Sequence, residues 1–177
     1  MLPSIVVLSL IALYAGVLTA RRGSPPEKAS ERVAASKALA VAVVAQGVHL
    51  AEEAVGDLPA RLPALFGERP VPLSIFLTIN LVWLGIWAVS VWMLRGGASG
   101  AFFAAWFLAL AGILNGVAHP ARARPAGGYI PGQGRTPAVA AAGVLLAPRL
   151  TAATEPLPTG APSGAGRGPP GAIDGSP

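Results

Sequence analysis

Uncharged, largely apolar blocks of about the length that crosses a bilayer as a helix recur along this chain and constrain its fold more than any other feature. A helix rises about 1.5 Å per residue, so roughly 20 apolar residues cover a hydrocarbon layer about 30 Å thick. Leu2 to Ala20 carries no charged side chain, and Val71 to Leu94 has only Asn80 as a strongly polar one. Ala101 to Ala118 contains Asn115 and is followed by His119, while Ala38 to Val55 begins with small apolar residues and then carries Gln46, His49, Glu52 and Glu53. These blocks read as four spans. Composition agrees: 12% of the 177 residues are charged and 53% are hydrophobic, where a soluble domain has about 25% charged. An ordinary soluble domain is excluded.

The connections are equally marked. Arg21 and Arg22 follow the first block instead of preceding it, which favours a span over the alternative of a cleaved signal peptide. Ser24, Pro25 and Glu27 have the spacing of a helix start, with Ser24 as cap and Glu27 as capping-box partner. Residues 56–70 contain Pro59, Pro63, Gly67 and Pro70 and read as a loop. The apolar stretch Pro137 to Leu150 is short, covering about 21 Å, so a short span, a re-entrant piece and an interfacial helix all remain open. Residues 151–177, rich in Gly and Pro, are expected to be a disordered tail beyond a bundle at 1–150. The fold class is therefore all-α: a polytopic membrane bundle of four or five helices in the cell membrane.

The charge of +5 does not indicate a nucleic-acid surface, because the basic residues are scattered between the apolar blocks. The partner they imply is the lipid bilayer. Arg21, Arg22, Lys28, Arg32 and Lys37 lie between the first two spans, which puts that loop in the cytoplasm and the amino terminus outside. Arg122, Arg124 and Arg135 suit contact with lipid phosphates. Cysteine is absent, so disulfides, thiolate metal sites and cysteine nucleophiles are excluded.

Polar residues converge on one half of the membrane. At 100° per residue, Gln46, His49, Glu52 and Glu53 fall on one face of the second span together with Ala42, Ala45 and Gly56. A face of small and polar residues is a bundle-facing one. The second and fourth spans run in the same direction, so Asn115 and His119 end on the same side, and Asn80 enters from that side on the third. The plain alternative is that Glu52 and Glu53 are the wet end of the helix and that His49 bonds to a neighbouring carbonyl. A helix carboxyl end is a negative pole, so a cation is the more natural guest there.

In order along the chain, His49-Leu50-Ala51-Glu52-Glu53 reads HxxEE, Asn115 to His119 reads NxxxH, and Tyr129-Ile130-Pro131-Gly132 reads YxPG. From about Leu39 to Gly132 the sequence resembles the HXXEE family of bacterial membrane proteins. The resemblance implies a polytopic membrane protein of unknown function whose His and Glu motifs suggest an enzyme.

His49 with Glu52 or Glu53, Glu53 being the first choice, and His119 as third ligand can hold one divalent metal, with zinc the first expectation and iron or manganese the alternatives. Three protein ligands plus water is the pattern of catalytic zinc, where a spare carboxylate serves as base. Glu52, Glu53 and Tyr129 are thus the candidate catalytic groups. Gln46, Asn80 and Asn115 are supporting residues, with Pro131 and Gly132 shaping a turn over the site. The leading functional expectation is a membrane-embedded, hydrolase-like enzyme acting on a lipid-like or small substrate. The alternatives are a proton- or cation-coupled relay and a structural accessory protein.

Overall fold

The computed structural model describes residues 2–64, 67–123 and 128–157. Six α-helices dominate: α1 (Leu2–Ala20), α2 (Ala29–Val55), α3 (Leu58–Ala64), α4 (Leu73–Arg95), α5 (Ser99–Ala123) and α6 (Thr136–Ala152). A 3-10 turn (Pro26–Lys28) and two short strands, β1 (Arg22–Gly23) and β2 (Glu155–Pro156), complete the element order. The all-α bundle expected from the apolar blocks is the observed architecture. Segments Pro26–Val55, Leu73–Arg95 and Ser99–Ala123 are long and apolar enough to cross a membrane. Their outer faces agree, because Val44, Trp92 and Val117 are each about two-thirds exposed or more, and a soluble monomer does not leave such a girdle open to water.

Helix α5 is the centre of the bundle, packed against α1, α4 and α6, while α2 lies between α4 and α6. Its buried face carries Phe102, Ala105, Trp106, Ala109 and Gly112. Trp83, Trp87 and Phe107 stack between α4 and α5 at centroid distances of 4.8 to 6.2 Å, so these tryptophans pack the bundle while Trp92 faces outward. Small residues let α5 and α6 approach backbone to backbone. A Cβ on Gly143 would stand 2.6 Å from the Ala109 carbonyl oxygen, and one on Gly112 would stand 2.9 Å from that of Val139. Such approach is how helices associate where hydrophobic driving force is weak.

Several boundaries differ from the sequence expectation. The short carboxyl-terminal apolar stretch is a helix of 17 residues, about 26 Å long, packed along α2 and α5 as a full member of the bundle. Thr136 starts it, with both its N–H and its hydroxyl donating to the Gly132 carbonyl. Residues 56–70 are not all loop: Leu58, Pro59 and Pro63 are buried as α3 folds back, and the Asp57 carbonyl accepts from Ala60 and Arg61. Pro59 is tolerated because it lies in the first turn, where its missing N–H would have no partner.

Helix α5 continues through Pro120 to Ala123, which places His119 within a helix instead of at its end. Ser24 does not act as a cap. Its hydroxyl donates to the Ala153 carbonyl at 2.7 Å, satisfying one of the orphan acceptors at the end of α6. Residues after Leu150 take part in regular structure: Thr151 and Ala152 finish α6, and β2 pairs antiparallel with β1, Arg22 opposite Pro156 and Gly23 opposite Glu155. Arg22 reinforces that strap by donating to Thr154 Oγ1 at 2.7 Å and to the Thr151 and Thr154 carbonyls. Of the tail expected over 151–177, residues 158–177 lie outside the described residues, as does Arg124.

Candidate metal centre

His49 and Glu53 are one helical turn apart on α2, so both side chains leave the same face. That face meets α5 and the loop between α5 and α6. Here His119 enters from α5, and its ring lies edge-on to His49 with centroids 5.1 Å apart and planes at 73°. His49 Nε2 is 3.2 Å from Glu53 Oε1, and His119 Nε2 is 3.4 Å from the same oxygen. One ligand atom from each of the three residues lies within 4.8 Å of the others, and all three residues are buried. His49 is fully enclosed.

Burial removes the plain alternative for these residues. Glu53 is 8% exposed, which is not the wet end of a helix. His49 finds no neighbouring carbonyl: neither of its nitrogens has a hydrogen-bond partner, and His119 Nδ1 has none either. The 3.2 Å approach of His49 Nε2 to Glu53 therefore lacks the alignment of a hydrogen bond. A buried carboxylate facing imidazoles with three unsatisfied nitrogens between them is costly to leave uncompensated. The three-residue group could hold a metal ion. Its two short separations are close to the roughly 3.3 Å edge of a tetrahedron built on metal–ligand bonds of about 2.0 to 2.1 Å.

The loop of Tyr129 to Arg135 closes over this cluster, and glycine makes that possible. Gly132 has φ +90°, and a Cβ there would stand 2.7 Å from His119 Cε1, 2.8 Å from Glu53 Cγ and 2.9 Å from His49 Cε1. Gly56 serves the same closure from α2, because a Cβ on it would lie 2.5 Å from Cβ of the buried Pro131.

Glu52 faces elsewhere. The Tyr129 hydroxyl and the Gly134 N–H, the latter at 3.0 Å, donate to its Oε1. Its Oε2 is shielded from solvent without a partner. That hydrogen bond to Glu52 is the main reason the Tyr129 phenol is held above its usual range. Glu52 also lines an open groove with Val48, Ala51, Val55, Gly134 and Arg135.

The expected site residues thus divide. His49, Glu53 and His119 meet with Gly132 and Pro131 above them, while Glu52 and Tyr129 latch the loop. Asn80 is turned to its own helix, donating to the Phe76 carbonyl at 2.8 Å. Gln46 and Asn115 are half-buried, and their side chains make no hydrogen bond among the described residues. Gly134, which the motif reading leaves out, is a latch residue; its signal was the glycine two positions beyond Gly132, where a backbone N–H can approach a carboxylate. No family model, curated protein or solved structure matches the chain.

Proposed function

We propose that this is a membrane-embedded, metal-dependent enzyme of hydrolytic type acting on a lipid-like or small substrate. The observation that carries the reading is the enclosed carboxylate of Glu53 facing two imidazoles, with both nitrogens of His49 and Nδ1 of His119 left without hydrogen-bond partners. His49, Glu53 and His119 are the proposed ligands, and two imidazoles with one carboxylate favour zinc over harder cations. A bound divalent ion supplies Lewis acidity and an acidified water. Glu52, the next residue to the ligand Glu53 and with its Oε2 unpartnered, is the proposed proton acceptor, which requires its side chain to leave the Tyr129 latch. Tyr129, kept protonated by Glu52, is the hydroxyl donor at the mouth.

The ordered HxxEE, NxxxH and YxPG motifs support the same proposal through their resemblance to the HXXEE membrane family. Supporting it over a proton relay is the confinement of His49, Glu53 and His119 to one end of α2 and α5, because a relay needs ionisable groups at several depths. The test is to incubate the zinc-loaded protein in detergent with a panel of ester and amide lipids, beside Glu52→Gln and His49→Ala variants. Turnover in the wild type that both variants lose is the expected result. Equal turnover in all three refutes the assignment.

A further inference from the structure

We infer that a groove between α2 and α6, at the end of the bundle remote from the His49 cluster, is a binding site for one anionic phospholipid. The groove encloses about 370 Å³. Ala38 and Ala142 form its floor, Val41 and Leu145 its apolar walls, and Lys37 and Arg149 its polar rim. Both walls are about 60% exposed, which suits an acyl chain lying along the helices.

Charge selects the headgroup. At this end of the bundle the protein itself satisfies most of its cations. Lys28 pairs with Glu155 at 3.3 Å, and Arg22 is held by Thr151 and Thr154. Arg32 donates to the Pro25 and Arg95 carbonyls, and Arg95 donates to Ser36 Oγ. Lys37 and Arg149 have no acceptor among the described residues, and no carboxylate lines their groove.

Lys37 stands immediately before Ala38, where the uncharged run of α2 begins, so its ammonium reaches the level of lipid phosphates while its stem follows the apolar wall. Arg149 offers a phosphodiester a bidentate donor pair. The groove beside Glu52 differs, because there a carboxylate offsets the single cation Arg135. The lipid site does not depend on the proposed metal chemistry.

Native mass spectrometry of the full chain in detergent tests it, with phosphatidylglycerol and phosphatidylcholine of identical chains and with inorganic phosphate. The wild type should retain phosphatidylglycerol over phosphatidylcholine, with each cation contributing roughly five-fold. Lys37→Gln with Arg149→Gln should abolish the preference. Arg21→Gln with Arg61→Gln, which removes the same charge elsewhere, should preserve it. Val41→Trp with Leu145→Trp fills the groove without changing charge and should weaken phosphatidylglycerol binding. Equal retention of the two lipids, equal loss in both charge variants, no effect of filling the groove, or displacement of the lipid by phosphate alone would each overturn the site.

Discussion

His119 reaches across from α5 to place its Nε2 3.4 Å from the Glu53 carboxylate on α2, although α2 and α5 share few contacts elsewhere along their length. The two helices are bridged mainly by what packs between them, namely α4 and α6, so the His119 to Glu53 approach is a feature of the site and not of general helix packing. Two imidazoles and one carboxylate, buried and short of hydrogen bonds, form a concentrated polar group inside the apolar body.

The Gly132 backbone caps this group, which makes the position intolerant of any side chain. Gly132→Ala is expected to lower stability by about 1 to 3 kcal/mol through strain at positive φ and overpacking against both histidines, and to weaken metal binding. Gly16→Ala is the control, since a Cβ there meets nothing within 4 Å. Thermal unfolding in detergent checks both, and equal melting of the two variants would contradict the cap.

The adjacent glutamates should separate by function. Glu53→Gln is expected to abolish metal uptake, whereas Glu52→Gln should retain it and instead release the loop that Tyr129 and Gly134 hold. Metal content and the hydrogen exchange of residues 128–135 read the two effects. Metal loss in both variants would contradict the division.

Tyr129 should titrate above an ordinary phenol. The chain has 2 tyrosines, so in Tyr14→Phe the tyrosinate absorbance reports Tyr129 alone. A folded value raised above the unfolded one means that the contact with Glu52 contributes in full below the unfolded phenol value of about 10 and is lost as pH rises through the folded value. The expected midpoint is above 10 and falls on adding Glu52→Gln. A midpoint at the ordinary value would remove the latch.

Much of this was legible because helices and membranes obey simple lengths. Helix α1 ends at Ala20 as the uncharged run does, and the i, i+4 spacing of His49 and Glu53 put both on one face. That His119 would arrive on the same side followed from counting spans. Other features were hidden for physical reasons. Helix periodicity parts the neighbours Glu52 and Glu53, but that the loop of Tyr129 and Gly134 takes up Glu52 is something no periodicity describes. The pairing of Arg22–Gly23 with Glu155–Pro156 joins distant residues in segments whose composition reads as linker. Prolines at 59 and 63 masked α3, and Pro120 masked the last turn of α5. The approach of α5 to α6 did leave a signal in Gly112 and Gly116, four residues apart with Gly143 opposite.

That approach is itself testable. Gly143→Leu would drive a side chain into the Ala109 carbonyl and Ile113, and about 1 to 3 kcal/mol of destabilisation is expected. A neutral effect on thermal unfolding would show that the two helices are not in backbone contact.

Elemental analysis of the detergent-purified, tag-free protein beside a His49→Ala, His119→Ala double variant decides whether His49, Glu53 and His119 hold a metal. Near-stoichiometric zinc, iron or manganese in the wild type and none in a folded double variant is the predicted result. Absence of metal from both, unchanged after metal is added back, would contradict it.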